Sequence, residues 1–256
     1  RFHRYGYTNS SIEEFNKKKY IFLINIIRKF TFINCKKIIV PSNYLKRIVS
    51  SWGIKKEYNV INNFVSNIEY NKYTDIKEFD KILKKNNNKK IVLTVSRLVK
   101  HKNINFLVKN LLYKNYIFVI VGFGPEYINI KNLIDNNKLN KKVYLLKDLE
   151  KSQIYKIMSK SDIFLLHSSY EGFPHVVIEA MANNLICLLS DVGGNSEIIK
   201  NNYNGYLLEL FNAKMLNSKI DFVANNNLNS ISNNAKITLK KFNKRQLLIK
   251  TFNALS

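Results

Sequence analysis

Two glutamates stand eight positions apart in a segment that also holds a glycine, a proline and a helix-forming run. Glu171 precedes Gly172 and Pro174, and Glu179 lies more than one helical turn further on. The glycine permits a sharp bend and the proline suits a helix start, whose first backbone amides favour an anion. Each carboxylate can accept two hydroxyl protons, so the pair suits recognition of a sugar. The alternative interpretation is a helix cap and a surface acid.

Two basic residues follow another apolar run. Arg97 comes just after residues 91–95, and Lys102 stands five positions later, near the expected start of a helix. Cations fixed at this place can neutralise a diphosphate. A solvated basic loop is the alternative that the residues leave open.

Two glycine-containing turns follow further apolar runs. The turn 122–125 reads Gly-Phe-Gly-Pro, and its glycines, Gly122 and Gly124, let the backbone approach a ligand closely. The turn 191–197 holds paired glycines, and there we expect Asn195 or Ser196 to cap a helix whose start favours an anion. An ordinary connection between a strand and a helix is the alternative for both turns.

The histidines and cysteines lack the spacing of a metal site, a hydrolytic triad or a redox pair. His101 and His175 lie in turns that we expect to face a ligand. We expect structural roles for His3 and His167, and we expect Cys35 and Cys187 to be thiols buried in the core.

Predicted strands and helices alternate regularly along the part of the chain that carries these residues. Uniformly apolar runs occupy residues 91–95, 117–121, 143–146, 163–166 and 185–189, and a helix-length segment follows each of them. Strands of this kind are buried on both faces, and their spacing requires crossover helices. We therefore predict an α/β fold with a doubly wound, Rossmann-like parallel sheet, whose ligands bind beyond the carboxyl ends of the strands.

The flanking segments suggest how the chain is divided. Before the regular alternation we expect a helix at 8–34, strands at 37–40 and 58–61, and a helix at 43–52. The polar sequence at 62–90, which is rich in Asn and Lys, favours a linker. The pattern of residues 212–256 is mostly helical. We predict a division into three parts, at 1–63, 64–228 and 229–256, of which the last is helical.

Charge and hydropathy limit the possible partners. The 256 residues carry a formal charge of +24, but lysine is spread through every segment rather than gathered into a stripe. This spread favours a general compositional bias over nucleic-acid binding, and leaves an anionic membrane surface or a polyanionic acceptor open. No apolar run reaches the roughly 18 residues that span a bilayer. We expect a cytoplasmic protein that is peripheral at the inner face of the membrane.

The ordered motifs resemble one known family. Val95-Ser96-Arg97-Leu98 with Lys102, Gly122-Phe123-Gly124-Pro125, Glu171-Gly172-Phe173-Pro174 with Glu179-Ala180, and Asp191-Val192-Gly193-Gly194 with Glu197 are similar to the C-terminal domain of retaining family 4 glycosyltransferases, or glycosyl transferases group 1. The match covers about residues 90–209, and residues 38–45 and 60–65 resemble the last strand of the N-terminal domain and the hinge. The resemblance implies the GT-B fold, with an acceptor-side remnant and hinge at 1–63 and a donor-binding domain at 64–228. It also implies that the C-terminal helices at 229–256 pack back toward the first part.

The resemblance also implies a role for each residue. Arg97 and Lys102 would grip the diphosphate of a UDP- or GDP-sugar, Glu171 would hold the donor sugar, and Glu179 would bind the ribose. The implied catalytic residues are Glu171, Arg97 and Lys102. The implied substrate-binding residues are Glu179, Gly172, Phe173, Pro174, His175, Val176, Gly122 and Gly124. The implied reaction transfers a hexose to a glycan or lipid-linked acceptor with retention of configuration, and it needs no essential metal. The implied pathway is surface-polysaccharide or lipopolysaccharide synthesis.

Other functions compete with this one. The same fold serves sugar-nucleotide epimerases and glucan phosphorylases, although the Glu-Gly-Phe-Pro context argues against both. A basic polyanion-binding module and an inactive fragment of the same fold are further alternatives. The family's N-terminal acceptor domain would precede Arg1, so the resemblance leads us to expect a truncated N-terminal Rossmann-like domain.

Overall fold

The computed structural model describes residues 26–27, 30–32, 34–53, 56–64 and 76–255. Most of the helix predicted at 8–34 lies outside these residues, as does His3. Within the described part, no helix is long and apolar enough to cross a membrane.

A small parallel pair of strands forms the first unit. Strand β1 (Ile38–Val40) pairs with β2 (Tyr58–Val60), and helix α1 (Asn43–Ser50) connects them. Ser42 caps α1, because its hydroxyl accepts the backbone amide of Leu45 at 3.1 Å. The strands and the helix predicted for this segment are confirmed to within a few residues.

A six-stranded sheet forms the second unit. All of its strands run parallel, in the order β5-β4-β3-β6-β7-β8. The strands are β3 (Lys90–Val95), β4 (Tyr116–Val121), β5 (Val143–Leu146), β6 (Ile163–Leu166), β7 (Ile186–Ser190) and β8 (Tyr206–Leu208). The predicted parallel α/β sheet is confirmed, and β8 is an edge strand that the sequence pattern did not reveal.

Helices cover both faces of this sheet. They are α2 (Lys77–Lys85), α3 (Ile104–Asn110), α4 (Tyr127–Asn136), α5 (Lys151–Ser159), α6 (His175–Ala182), α7 (Asn195–Ile198), α8 (Ala213–Asn225) and α9 (Asn229–Leu239). A further helix, α10 (Lys244–Leu255), follows α9. Helix α2 lies inside the segment predicted as a linker. It forms because its apolar residues repeat at helical spacing and bury Phe79 and Ile82, while its charged residues face outward.

The core lies on both sides of the sheet, as the apolar strands predicted. Along β4 the side chains alternate between two buried clusters: Ile117 and Val119 pack on one face, and Phe118 and Ile120 pack on the other. Each such side chain contributes about 1.5–3 kcal/mol by leaving water. The buried strands therefore form a rigid base for the loops at their ends.

Strand order creates a crevice at the carboxyl ends of the central strands. The chain moves outward from β3 to β4 and β5, and then returns to place β6 on the other side of β3. The loops after β3 and β6 therefore leave the sheet in opposite directions, which opens a crevice at the carboxyl ends of these strands.

Candidate functional site

A cavity of about 670 Å³ occupies this crevice. The loops after β3, β4, β5 and β6 line it, together with the first turn of α5 and the first two turns of α6. The lining residues are Val95, Ser96, Arg97, Lys102, Val121, Gly122, Phe123, Asp148, Leu149, Ile154, Glu171, Pro174, His175, Val176 and Glu179. Its volume is typical of small-molecule sites.

The loop after β3 brings two cations to the cavity. Lys102 ends a single 3-10 turn, Lys100–Lys102, and Arg97 lies at the start of the loop. Asn103 has a left-handed backbone, and its side-chain amide donates to the carbonyl of His167 and to the hydroxyl of Ser169, at 2.9 and 2.7 Å. These bonds tie the cation loop to the loop after β6.

Lys102 is paired with the first of the two glutamates. Its ammonium Nζ lies 2.5 Å from Oε1 of Glu171, and both side chains are mostly buried, with 14% and 9% of their area exposed. Burial keeps water from screening this pair, so the positive charge and the carboxylate have one defined arrangement.

The backbone of Glu171 is fixed as well. The amide of Gly194 donates to the carbonyl of Glu171 at 2.8 Å, and the hydroxyl of Ser42 donates to the carbonyl of Gly172 at 2.7 Å. Gly193 has φ +58°, and a Cβ there would lie 2.0 Å from the carbonyl oxygen of Glu171. The paired glycines are thus needed for close contact with the loop that carries Glu171.

The second glutamate has a different environment. Glu179 lies in the second turn of α6, and its Oε1 accepts the hydroxyl of Tyr155 at 2.9 Å. Lys151 Nζ and His175 Nδ1 lie 3.3 and 3.5 Å from the same oxygen. All of these contacts reach Oε1, so Glu179 is held on one side.

These contacts shift the pKa values of Glu179 and His175. Burial alone would raise the pKa of Glu179, but hydrogen bonds from His175 and Tyr155 and the charge of Lys151 outweigh burial and lower it. The hydrogen bond to Glu179 raises the pKa of His175, against the effect of burial. Glu179 is therefore held as a carboxylate.

Sequence reasoning missed two of the residues that hold Glu179, Lys151 and Tyr155. Lys151 and Tyr155 lie four positions apart on one face of α5, which begins with a capping box between Glu150 and Gln153. This spacing was the available signal, but nothing in the sequence indicates that α5 packs beside α6. Phe123, Asp148, Leu149 and Ile154 also line the cavity and were not predicted.

Most of the predicted site residues meet in the cavity, and three do not line it. Gly172 packs against helix α1, where a Cβ would lie 2.9 Å from the side chain of Leu45. Phe173 is buried, with its ring 5.7 Å from that of Phe242. A Cβ at Gly124 would lie 2.4 Å from the carbonyl oxygen of Leu98. Tight packing, rather than the cavity, accounts for these residue types.

The turn that contains the paired glycines differs from its prediction. The N-cap of α7 is Gly194, which makes no side-chain cap bond, instead of Asn195 or Ser196. The side-chain amide of Asn195 is buried and donates to the carbonyl of Ser190 at 2.8 Å. Asn195 therefore joins the turn to β7, which explains why it does not cap the helix.

The remaining histidines have separate places. His167 is buried and accepts the backbone amide of Phe211 at 2.9 Å, and burial lowers its pKa to about 4, so its predicted structural role is confirmed. His101 is not among the cavity-lining residues, unlike His175. Its carbonyl accepts the amide of Ser169 at 2.7 Å, and burial with the nearby charge of Lys102 lowers its pKa.

No metal centre is formed by the described residues: no three His, Cys, Asp or Glu side chains among them are grouped as metal ligands. Cys187 is fully buried in the core, as predicted, whereas Cys35 is only partly buried, so the predicted core position is wrong for Cys35.

Known proteins share this sequence pattern. The profile of the family described as Glycosyl transferases group 1 matches residues 75–238. The Escherichia coli UDP-Gal:alpha-D-GlcNAc-diphosphoundecaprenol alpha-1,3-galactosyltransferase is 32% identical over 171 residues, which cover 63% of this chain and 43% of the relative. An uncharacterised glycosyltransferase of Methanocaldococcus jannaschii is 28% identical, over 84% of this chain and 57% of the relative. The chain spans about half the length of the curated relatives it matches.

Solved structures share the fold. A glycosyltransferase of Rickettsia africae superposes with a TM-score of 0.71 and 26% identity, over 97% of this chain and 67% of that one. TarM of S. aureus superposes with a TM-score of 0.74 and 23% identity, over 90% of this chain and 45% of that one. The sheet and its helices thus have the GT-B architecture that the sequence led us to expect. Because the family profile matches well over half of its residues, the chain belongs to the glycosyl transferases group 1.

Proposed function

We propose that the chain is the donor-binding part of a retaining glycosyltransferase. It would move a hexose from a UDP- or GDP-sugar to a hydroxyl of a glycan or lipid-linked acceptor. The E. coli relative uses UDP-Gal by its name, and TarM was crystallised with UDP. These names support a nucleotide-sugar donor here.

One observation carries the proposal: two cations and two of the three carboxylates that line the cavity come from the segments that flank the start of α6 and the end of β3. Arg97 and Lys102 come from the loop after β3, whereas Glu171 and Glu179 come from the segment that follows β6, and all four line the cavity. Helix α6 begins at His175 with no side-chain cap bond, so its first-turn amides add further donors for an anion. A sugar linked to a diphosphate fits this mixture of charges.

We infer how the donor would lie in the cavity. The diphosphate would lie near Arg97, Lys102 and the start of α6, because these groups are positive. Glu179 would bind the ribose hydroxyls through Oε2, since its held contacts are on Oε1. Glu171 would accept hydroxyl protons of the donor sugar while Lys102 holds its other oxygen.

The same arrangement suggests the chemistry. The bond between the anomeric carbon and the diphosphate oxygen breaks, and negative charge grows on the leaving diphosphate. Arg97 and Lys102 stabilise that charge more strongly in the transition state than in the ground state. The acceptor oxygen bonds to the anomeric carbon from the face that the diphosphate leaves, and its proton passes to the departing phosphate oxygen. This front-face route retains configuration and needs no metal in our proposal.

Calorimetric titration of UDP, GDP and ADP tests the site. We expect one of them to bind, and Glu179→Ala to weaken that binding at least about tenfold, because the ribose loses a charged hydrogen-bond acceptor worth about 1.5–3 kcal/mol. Asp135→Ala is the matched control, since Asp135 is an exposed carboxylate near the end of α4, outside the cavity. Absence of binding, or equal binding by both variants, would overturn the site assignment.

A basic module that binds polyanions is the second candidate function. The net charge of +24 is the observation that favours it. Such binding would not depend on Glu179, because removing a carboxylate leaves a basic surface more positive.

A further inference from the structure

Glu197 binds the start of a helix that lies far from it in sequence. Its Oε2 accepts the backbone amide of Asn43 at 2.8 Å, and its Oε1 accepts that of Tyr44 at 2.6 Å. The side-chain amide of Asn43 adds a contact to Oε2 at 3.1 Å. Helix α1 has no acidic residue in its own first turn, so Glu197 supplies the negative charge that its N-terminus favours.

The same end of α1 holds the loop that carries Glu171. Ser42, the N-cap of the helix, is fully buried and donates its hydroxyl to the carbonyl of Gly172 at 2.7 Å. Leu45, in the first turn of the helix, packs so closely on Gly172 that a Cβ added to this glycine would lie 2.9 Å from the Leu45 side chain. The residue after Glu171 is thus fixed by α1.

The residue before Glu171 also contacts α1. The rings of Tyr44 and Tyr170 lie 5.9 Å apart in a tilted arrangement, and Tyr170 packs on the apolar cluster of α1. Both neighbours of Glu171 therefore lie against the first turn of one helix.

The turn that carries Glu197 completes a closed set of contacts. Gly194, three positions before Glu197, donates its amide to the carbonyl of Glu171 at 2.8 Å. The carboxylate of Glu197 holds α1, α1 holds Gly172, and the backbone of the turn holds Glu171 itself. Glu197 is not among the cavity-lining residues, so it can act on a ligand only through these neighbours.

We propose that Glu197 is a positioning residue for Glu171. It anchors the first turn of α1, which sets the backbone on both sides of Glu171 and thereby the depth of its carboxylate in the cavity. This inference rests on the proposed function in one respect: Glu171 is taken to contact the sugar of the donor and not its nucleotide.

Two affinities distinguish an effect on the binding of the donor sugar from an effect on the binding of its nucleotide. The probes are UDP with UDP-glucose and GDP with GDP-mannose, titrated by calorimetry. The quantity of interest is the ratio of the affinity for the nucleotide sugar to that for the free nucleotide. We expect Glu197→Ala to lower this ratio by about three- to tenfold, in the direction of Glu171→Ala, and to change the affinity for the free nucleotide less than about twofold.

Matched variants show whether the effect passes through Glu171. Glu197→Gln keeps one acceptor oxygen for α1 and is expected to restore part of the ratio. The double variant Glu171→Ala/Glu197→Ala is expected to lose no more than Glu171→Ala alone, because the two residues act in series. Asn212→Ala removes a comparable cap, the 2.9 Å bond to the amide of Met215 in α8, and is expected to leave the ratio unchanged.

Some outcomes would overturn the proposal. An unchanged ratio in Glu197→Ala would do so, and so would an equal loss of both affinities, which indicates a general structural role. Additive losses in the double variant would place the action of Glu197 elsewhere.

Hydrogen exchange makes the test independent of nucleotide binding. We expect Glu197→Ala to speed exchange of the amides of Ser169 and Gly194, which bond to His101 and Glu171, while the amides of β4 stay protected. Faster exchange in a chain that binds none of the probes would contradict the proposed function and leave the positioning contacts supported. Unchanged exchange would contradict the positioning role whether or not a nucleotide binds.

Discussion

Glu171 and Glu179 are the same residue type, but their partners give them different capacities. Glu171 forms an ion pair with one mostly buried cation, Lys102. Glu179 is held through one oxygen by Tyr155 and two basic side chains. Because different atoms remain for a ligand in each case, the two acids suit different parts of a nucleotide sugar.

The contact between His175 and Glu179 predicts a pH dependence. The pKa of His175 is raised above 6.5, chiefly by the hydrogen bond to Glu179, so the contact stabilises the fold fully below pH 6.5 and is lost as the pH rises through the raised pKa. We expect an NMR titration to give a pKa above 6.5 for His175, and Glu179→Gln to bring it down toward that value.

A second histidine provides the control for this titration. His101 is outside the cavity, and its pKa is lowered chiefly by burial. We expect its titration to be unchanged by Glu179→Gln. A pKa at or below 6.5 for His175 in the parent chain would contradict the contact.

At the scale of elements, the turns at the carboxyl edge are fixed by contacts with one another. Gly193 and Gly194 belong to the turn before α7, yet both approach the backbone of the loop before α6. Gly122, after β4, approaches the loop after β3 in the same way, since a Cβ there would lie 1.9 Å from the carbonyl oxygen of Ser96. The glycines therefore bring neighbouring loops together around the cavity.

Two glycines with left-handed backbones test this account. Gly53 has φ +76° with nothing within 4 Å of an added Cβ, whereas Gly193 has φ +58° and would meet the carbonyl oxygen of Glu171. We expect Gly53→Ala to lower the free energy of unfolding by about 1–2 kcal/mol through backbone strain alone. Gly193→Ala should cost about 1–3 kcal/mol more, because a backbone must move. Urea unfolding measures both variants, and equal losses would contradict the close approach.

At the scale of the molecule, the sheet and the charge act differently on a ligand. Strand order places the crevice beside β3 and β6, and the buried core on both faces keeps its walls in place. The net charge of +24 is spread through the sequence and does not define a binding mode, since exposed charges are screened over about 10 Å at ordinary salt.

Salt dependence separates the two candidate functions. We expect the affinity for UDP to fall less than about tenfold between about 50 and 200 mM NaCl, because the ligand carries few charges, whereas polyanion binding through 6–10 contacts loses about 10³–10⁵. Calorimetry with UDP and with heparin at both salt concentrations measures the difference. Tight binding of heparin with a steep loss in salt, and none of UDP, would favour the polyanion-binding module.

The sequence by itself determined the sheet and the ends of its strands. Uniformly apolar runs at crossover spacing require a buried parallel sheet, and that requirement places the loops with Arg97 and Glu171 at one edge. The short edge strand β8 and helix α2 were missed. Strand β8 has only three residues, which is too few to show a periodic pattern. Helix α2 has two buried apolar side chains, and the many polar residues around them at 62–90 led to the prediction of a linker.

Only the tertiary structure decided which side chains meet. Lys102 and Glu171 are 69 positions apart, Tyr155 and Glu179 are 24 apart, and Asn43 and Glu197 are 154 apart. Periodicity and turn chemistry act over a few residues, so they predict elements and loops but not the partner that packing brings to a carboxylate. Those partners depend on strand order and on how closely the loops approach, which are properties of the folded chain.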